Sequence, residues 1–293
     1  MRNAVVVTGA STGIGHACAL RLDRAQRPVF AAVRTMADAD TLRRKASSRL
    51  TPIVLDVTDE KSIASAEDVV SRAVGESGLA GLVNNAGINV PGPLEFIPVN
   101  EFRRQLEVNV VGQVAVTRAF LRLLRLGRGR IVNIGSMGGR MAIPFFGAYS
   151  ASKFAFEAVT DALRVELRPW GISVTIVEVG CVATPIWQKS RAMLVATKSY
   201  WAGPMNDRMQ DLYGHSITGF LRAMDDAERT AIPAERVARA VERALTSARP
   251  KVRYLVGVEA RAYALLARFT PARFRDFIFI RRLRLGGRSS RSI

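Results

Sequence analysis

Val5, Val6 and Val7 stand between Ala4 and Thr8 as an unbroken apolar and β-branched run; a glycine-rich turn follows, and apolar residues return with helical spacing over 17–22. A short run of this kind before a glycine turn reads as a strand feeding a helix. The rhythm repeats, with further strands expected near 28–33, 51–55, 80–84, 129–134 and 172–178 and helical stretches between them. Val29-Phe30-Ala31-Ala32-Val33 shows no polar alternation, so neither of its faces is suited to water. Such strands alternating with helices predict the α/β class: one doubly wound domain, a parallel sheet with helices on both faces, and ligands received at the strand carboxyl ends.

A chain of 293 residues is long enough for one such domain with a core and a pocket. No Pro/Ser-rich linker or internal repeat divides it, so 1–260 is read as a single unit. Within that unit, 185–230 is a less regular insertion without an obvious strand, yet it carries Trp187, Met193, Tyr200, Trp201, Met205, Met209, Tyr213 and Phe220. It either packs as core or covers a ligand as a lid, and the residues alone do not choose.

Charge changes this picture at the carboxyl end. The formal net charge is +18, and the extension 261–293 carries nine arginines against the single acid Asp276. There Phe274, Phe277, Ile278, Phe279 and Ile280 adjoin the arginines, a basic amphipathic pattern that suits peripheral attachment to an anionic membrane. It equally suits packing on the body or between copies of the chain. No nucleic-acid module with interleaved basic and aromatic residues is recognisable, which argues against such a partner. No apolar run approaches the ~18 residues of a membrane span, and the first residues read as a strand rather than a secretion signal. Cys18 and Cys181 show neither disulfide nor metal-ligand spacing, and His16 and His215 also lack metal spacing. The expected location is a reducing cytoplasm, with peripheral membrane contact as the variant the tail raises; no metal is expected.

Candidate chemistry begins at the first turn, Thr8-Gly9-Ala10-Ser11-Thr12-Gly13-Ile14-Gly15. Gly9, Gly13 and Gly15 permit a tight turn and close backbone approach, and the helix after them offers unpaired N–H groups and a positive dipole end to a pyrophosphate. Ser11 and Thr12 add hydroxyl donors. The second strand ends in Val33-Arg34, where NAD-selective proteins commonly place an acid for the ribose 2′-hydroxyl. Arg34 instead suits the 2′-phosphate of NADP(H), with Arg43 and Arg44 as helpers; its plain alternative is a surface charge. Asp56, beside Val57, either accepts from an adenine amino group or caps the helix after Thr58.

Tyr149 and Lys153 fall four residues apart in Tyr149-Ser150-Ala151-Ser152-Lys153, so on a helix they share a face and the ammonium can approach the phenol. A phenol of ordinary pKa ~10 is a poor base at neutral pH, and each tenfold rise in its ionisation requires about 1.4 kcal/mol of preferential phenolate stabilisation. A neighbouring ammonium is one source of it.

With Asn84-Asn85-Ala86-Gly87, Asn109 and Ser136 between them, these motifs stand in the order in which the short-chain dehydrogenase/reductase family has them, and the chain resembles that family over about residues 3–185. Leu55-Asp56-Val57-Thr58 and the segment 81–88 are similar to its retinol and hydroxysteroid dehydrogenase branch. The resemblance implies a Rossmann-like domain, often a homodimer or homotetramer, and an NADP(H)-dependent oxidoreductase acting on a hydrophobic secondary alcohol or ketone of steroid, retinoid or acyl type. It implies that Tyr149 protonates the developing alkoxide or takes the hydroxyl proton, that Ser136 orients the substrate oxygen, that Lys153 holds the nicotinamide ribose, and that Asn109 anchors a relay water. Asn85, Ala86 and Gly87 would lie beside the adenine ribose, Gly180 and Val182 at the nicotinamide, and Thr184 at its amide or the phosphates. The family's Pro-Gly is Val179-Gly180 here, a departure that puts the shape of that loop in question. A redox role for Cys181 lacks an activating partner. The rival reading is a catalytically silent NADP-binding sensor or scaffold with a partner-binding tail, against which the complete tetrad argues.

Overall fold

The computed structural model describes residues 1, 3–195, 204–283 and 285. In chain order its strands are β1 (Val5–Val7), β2 (Val29–Val33), β3 (Leu50–Val54), β4 (Gly81–Asn84), β5 (Arg130–Ser136), β6 (Ser173–Val179), β7 (Val182–Ala183), β8 (Ile232–Pro233) and β9 (Arg253–Val256). The helices are α1 (Gly13–Arg24), α2 (Met36–Arg43), α3 (Glu60–Val74), α4 (Val99–Leu106), α5 (Gly112–Leu126), α6 (Gly147–Glu166), α7 (Ile186–Val195), α8 (Pro204–Arg229), α9 (Ala234–Thr246), α10 (Val258–Phe269) and α11 (Ala272–Leu283).

Seven strands form one sheet in the order β3-β2-β1-β4-β5-β6-β9, with every neighbouring pair parallel. Alternate residues of β1 show why the run had to be apolar throughout. Val5 and Val7 pack in a layer with Cys18 and Leu22 of α1 and Val237 and Val241 of α9. Val6 packs on the other face with Val70 of α3 and Val116 and Phe120 of α5. Burying each such aliphatic side chain contributes roughly 1.5–3 kcal/mol. The strand order reverses between β1 and β4, and at the carboxyl ends of those strands such a sheet opens a crevice.

Six strands of the sheet lie where the apolar runs place them. The seventh, β9, carries only four residues, all half-buried at the sheet edge, and its pattern is too short to announce it. The insertion 185–230, irregular by its composition, is largely helical, as α7 and α8. Met209, Tyr213, Ile217, Phe220 and Met224 recur at helical spacing and form one stripe of α8 packed with Phe96, Phe145 and Phe146 beyond the strand ends. Tyr200 and Trp201 lie outside the described residues, as do the side chain of Met205 and Arg284, Arg288 and Arg291 of the tail.

The same layer takes in α11, through Phe279 and Leu283. Phe274, Phe277 and Ile280 of that helix stay exposed. Among the described residues, no helix is long and apolar enough to cross a membrane.

Candidate active site

β1 delivers the chain into a turn where Gly9 has φ +64° and Gly13 φ +59°, the region that favours glycine. A Cβ on Gly9 would stand 2.8 Å from Ala86 Cα, and one on Gly15 2.3 Å from the Gly9 carbonyl oxygen. The loop after β4 clamps this turn. Asn85 Nδ2 donates to the carbonyls of Thr8 (2.9 Å) and Gly9 (3.1 Å), while the Thr8 hydroxyl accepts from the N–H groups of Asn85 (2.9 Å) and Ala86 (3.1 Å). The Asn85 side chain is therefore a grip on the glycine turn, a job the sequence did not assign it.

α1 starts at Gly13 without a side-chain cap from Thr12 and without an acid in its first turn, so the N–H groups of Gly13, Ile14 and Gly15 meet no protein anion. Ser11 is half-buried and Thr12 exposed at the rim. Across the crevice, Thr184 leans on this helix start: a Cβ on Gly13 would lie 3.1 Å from Thr184 Cγ2. Gly180 and Val182 occupy the same loop, with the Gly180 N–H bonded to Val256 O at 3.0 Å and Val182 paired to Ile232.

Arg34 is exposed at the end of β2 and makes no hydrogen bond or ion pair among the described residues. By contrast, Arg43 pairs with Asp40 at 2.8 Å and Arg44 donates to the Thr41 hydroxyl at 3.1 Å. Asp56 takes the N–H (2.9 Å) and hydroxyl (2.7 Å) of Thr58, both on Oδ1. Those bonds, the backbone one first, hold its carboxyl below the ordinary value, and the positive charge of Arg34 adds to them. Asp56 therefore closes a local turn onto Thr58 and does not cap the helix after it, whose N-cap is Asp59. Val57 is buried beside it. A closed glycine turn, a helix start facing no acid and an unpaired Arg34 fit a dinucleotide lying across the strand ends.

On the other side of the crevice β5 ends at Ser136, and α6 carries Tyr149 and Lys153 on one face, with Lys153 Nζ 5.8 Å from the Tyr149 ring centroid. Nζ donates to Ile134 O at 2.8 Å. Burial lowers the Lys153 pKa to about 8, opposed by the Glu157 carboxylate one turn further along α6. Burial raises the Tyr149 phenol above its ordinary value, and a hydrogen bond with Ser136 pulls it back only in part. Ser136 is thus a group in this arrangement that favours the phenolate. The Ser136 oxygen also accepts the Gly138 N–H at 3.1 Å.

Asn109 sits in a five-residue π-helical turn, Glu107–Val111, between α4 and α5. Such widened turns reorient a side chain relative to a regular helix. Its Oδ1 accepts the Ile88 N–H at 2.9 Å, and its Nδ2 donates to Ile88 O and Ser152 Oγ, both at 3.0 Å. The amide braces the β4 loop against α6 next to Lys153.

No motif announced the charged cluster behind this helix. Glu178 of β6 is fully buried and receives Arg140 Nε and Nη2 at 3.0 and 2.9 Å, and Arg253 bonds both Glu178 and Glu157. Two signals were present: Glu157 continues the four-residue series of Tyr149 and Lys153, and Glu178 is an acid inside an otherwise apolar strand, which requires a buried partner. Cys181 is inert as a nucleophile, its thiol pushed up to about 11, mainly by burial. His16 is lowered by burial within α1, and His215 is exposed on α8.

A mostly apolar pocket adjoins the pair. Its wall includes Met137, next to Ser136, and Phe146, whose ring meets Tyr149 edge-on at 6.2 Å. Trp187, Phe220 and Met224 bring in α7 and α8, and Phe279 brings in α11.

A doubly wound sheet with a glycine turn facing a half-buried tyrosine and a buried lysine one helical turn apart is the arrangement of a nucleotide-dependent dehydrogenase. Residues 3–194 match the model of the short chain dehydrogenase family, and the chain belongs to that family as an oxidoreductase acting on CH–OH groups. It is 37% identical to retinol dehydrogenase 16 of Mus musculus over 91% of this chain and 84% of that one, and 37% identical to 17-beta-hydroxysteroid dehydrogenase type 6 of Bos taurus over 94% and 87%. It is 35% identical to an NADPH-dependent 3-dehydrocapnine reductase of Ornithobacterium rhinotracheale over 95% and 96%. A short chain dehydrogenase from Burkholderia cenocepacia, solved in complex with NADP, superposes with a TM-score of 0.70 at 25% identity, covering 96% of this chain and 98% of that one.

Proposed function

We propose that the protein moves a hydride between NADP(H) and a hydrophobic secondary alcohol or ketone of steroid, retinoid or acyl type, with Tyr149 as general acid and base. The observation that carries this reading is the half-buried Tyr149, set beside Ser136 and Lys153 next to an apolar pocket. When bound, the nicotinamide supplies or accepts the hydride at C4. Gly9, Ser11, Thr12, Gly13, Ile14 and Gly15 hold the pyrophosphate, Asp56, Val57, Asn85, Ala86 and Gly87 frame the adenosine half, and Gly180, Val182 and Thr184 border the nicotinamide. Ser136 orients the substrate oxygen toward Tyr149, Lys153 binds the nicotinamide ribose, and Asn109 fixes the loop and helix that carry them. Residues 185–230 serve as both wall and cover of the pocket within the catalytic unit 1–260. The test is NADPH absorbance over a panel of hydrophobic ketones. Turnover of at least one is expected; tight NADPH binding with no turnover across the panel would favour the silent-sensor reading.

Arg34 is the selector for the phosphorylated cofactor in this reading, supported by its exposure without a hydrogen bond or ion pair among the described residues and by the NADPH dependence of one relative. Charge-assisted hydrogen bonds contribute roughly 1.5–3 kcal/mol. Arg34→Ala is therefore expected to weaken NADPH about 10- to 100-fold while NADH affinity barely moves, as read by titration of nicotinamide fluorescence. An unchanged NADPH to NADH ratio would remove Arg34 from this role.

The exposed side of the carboxyl-terminal helices is proposed to rest on anionic lipid. Phe274, Phe277 and Ile280 of α11 face outward with Arg273 and Arg281 among them; the Arg281 guanidinium lies 5.6 Å from the centre of the Phe277 ring, and that of Arg268 lies 5.3 Å from Phe269 in α10. An apolar strip rimmed by cations matches the boundary between acyl chains and anionic headgroups. The protein is expected to sediment with phosphatidylserine-containing vesicles, less so at high salt, and the Phe274→Ser/Phe277→Ser pair to reduce that fraction about tenfold. Equal sedimentation by this pair would reject the assignment.

A further inference from the structure

We propose that Glu259 is a specificity-determining residue of the pocket, accepting a hydrogen bond from a hydroxyl or ammonium group that the substrate carries in addition to the oxygen presented to Tyr149. The proposal rests on the reading of this pocket as the substrate site.

The chain reaches Glu259 by a sharp turn out of β9. Gly257 has φ +103°, a conformation that side chains rarely adopt, and α10 starts at the next residue. Glu259 thereby falls in the first turn of α10, and its carboxylate lies across the end of β6. A Cβ placed on Gly180 would stand 2.9 Å from Glu259 Oε2, and one on Gly257 3.1 Å. Two glycines thus leave the space that the carboxylate fills. Gly180 is also the residue that borders the nicotinamide in the proposed function.

Oε2 is shielded from solvent and has no hydrogen-bond partner. The surroundings explain why none is at hand. Met137, Ile143, Phe146, Phe220 and Met224 make most of this lining apolar. Arg282, the other charged residue of the wall, forms no ion pair with Glu259 among the described residues, and the Tyr263 hydroxyl makes no bond to it. The dipole of α10 favours a carboxylate in its first turn, which accounts for the charge but not for an oxygen that no protein donor meets. A buried acceptor without a donor is unfavourable, and a ligand donor that meets it recovers that loss. An aliphatic analogue lacking the donor would leave the Glu259 carboxylate unpaired in an otherwise apolar wall and be rejected, the asymmetry by which polar pockets select.

The experiment compares three ketones of one carbon skeleton, taken from the best substrate of the panel, that differ at one position away from the carbonyl by a hydroxyl, an ammonium or a methyl group. Wild type is expected to favour the hydroxyl or the ammonium compound over the methyl compound by about a hundredfold in kcat/KM, carried mainly by KM. In Glu259→Leu that ratio is expected to fall to near one. Glu259→Gln separates the two donors, because its amide oxygen still accepts from a hydroxyl but no longer attracts a cation. NADPH affinity of each variant reports folding, and quenching of Trp187 fluorescence, in the same wall, reports binding of each ketone without turnover. A donor-to-methyl ratio that is the same in wild type and Glu259→Leu, by either readout, overturns the proposal. If wild type turns over none of the ketones yet binds the donor compounds selectively, the oxidoreductase reading fails while the role of Glu259 stands.

Discussion

Tyr149→Phe is expected to lower kcat by about 10²–10⁴-fold, the contribution of a well-placed proton donor, while NADPH affinity changes little. The substitution removes one hydroxyl and little else. The ring keeps its edge contact with Phe146, and Lys153 stays anchored on Ile134 O, so the cofactor side of the crevice is not reorganised. Rates from NADPH absorbance and affinities from its fluorescence separate the two quantities; equal turnover by the variant would dismiss Tyr149 as the acid. The pH profile adds a second constraint. Because the phenol is held above its ordinary value, it stays protonated through the neutral range and is suited to donating to a ketone. The Lys153 ammonium is what titrates first, with a pKa near 8. Reductive kcat/KM should therefore fall as pH rises through about 8. Removing the Glu157 carboxylate, which favours the charged lysine, should move that alkaline limb to lower pH, so a Glu157→Gln profile that superposes on wild type would count against the coupling.

The legibility of the chain differs from one layer of the argument to the next. Strands buried on both faces announce themselves, because β1 and β2 must be apolar at every position, whereas β9 is a half-buried edge whose four residues look like any loop. Tyr149 and Lys153 are readable because helical spacing alone puts them on one face. The use made of polar side chains was less readable. Asn85 grips the glycine turn through two backbone carbonyls, and Asn109 braces Ile88 and Ser152, contacts set by loops whose course no periodicity encodes. The stripe of α8 was present as a list of large apolar residues. Its spacing identifies a helix face, but the cluster it joins takes in segments as distant in sequence as Phe96, Phe145 and Phe146, so the choice between core and cover could not be made from the chain alone.

On stability the largest expected effect lies at Arg253. Its guanidinium bonds two buried carboxylates, Glu157 and Glu178, on different elements, and among the described residues Glu178 keeps only Arg140 as an ion-pair partner when it is removed. Deleting one member of a buried ionic group costs about 3–5 kcal/mol because the others remain charged and uncompensated. Arg253→Met should lower Tm by roughly 10 °C in a domain of this size, measured by calorimetry. The pH dependence distinguishes lost charge compensation from lost packing. The Glu157 carboxyl is raised, first by burial and then by Glu178, with Arg253 acting in the opposite direction. A carboxyl raised in the folded state contributes stability that is present below its unfolded pKa and lost as pH rises through its folded value. Without Arg253 that rise is larger, so the deficit of Arg253→Met should be small at pH 4 and grow toward pH 8. A deficit of equal size at both pH values would mean that the side chain acts through its aliphatic stem, and that the cluster behind Lys153 is held together by packing rather than by charge.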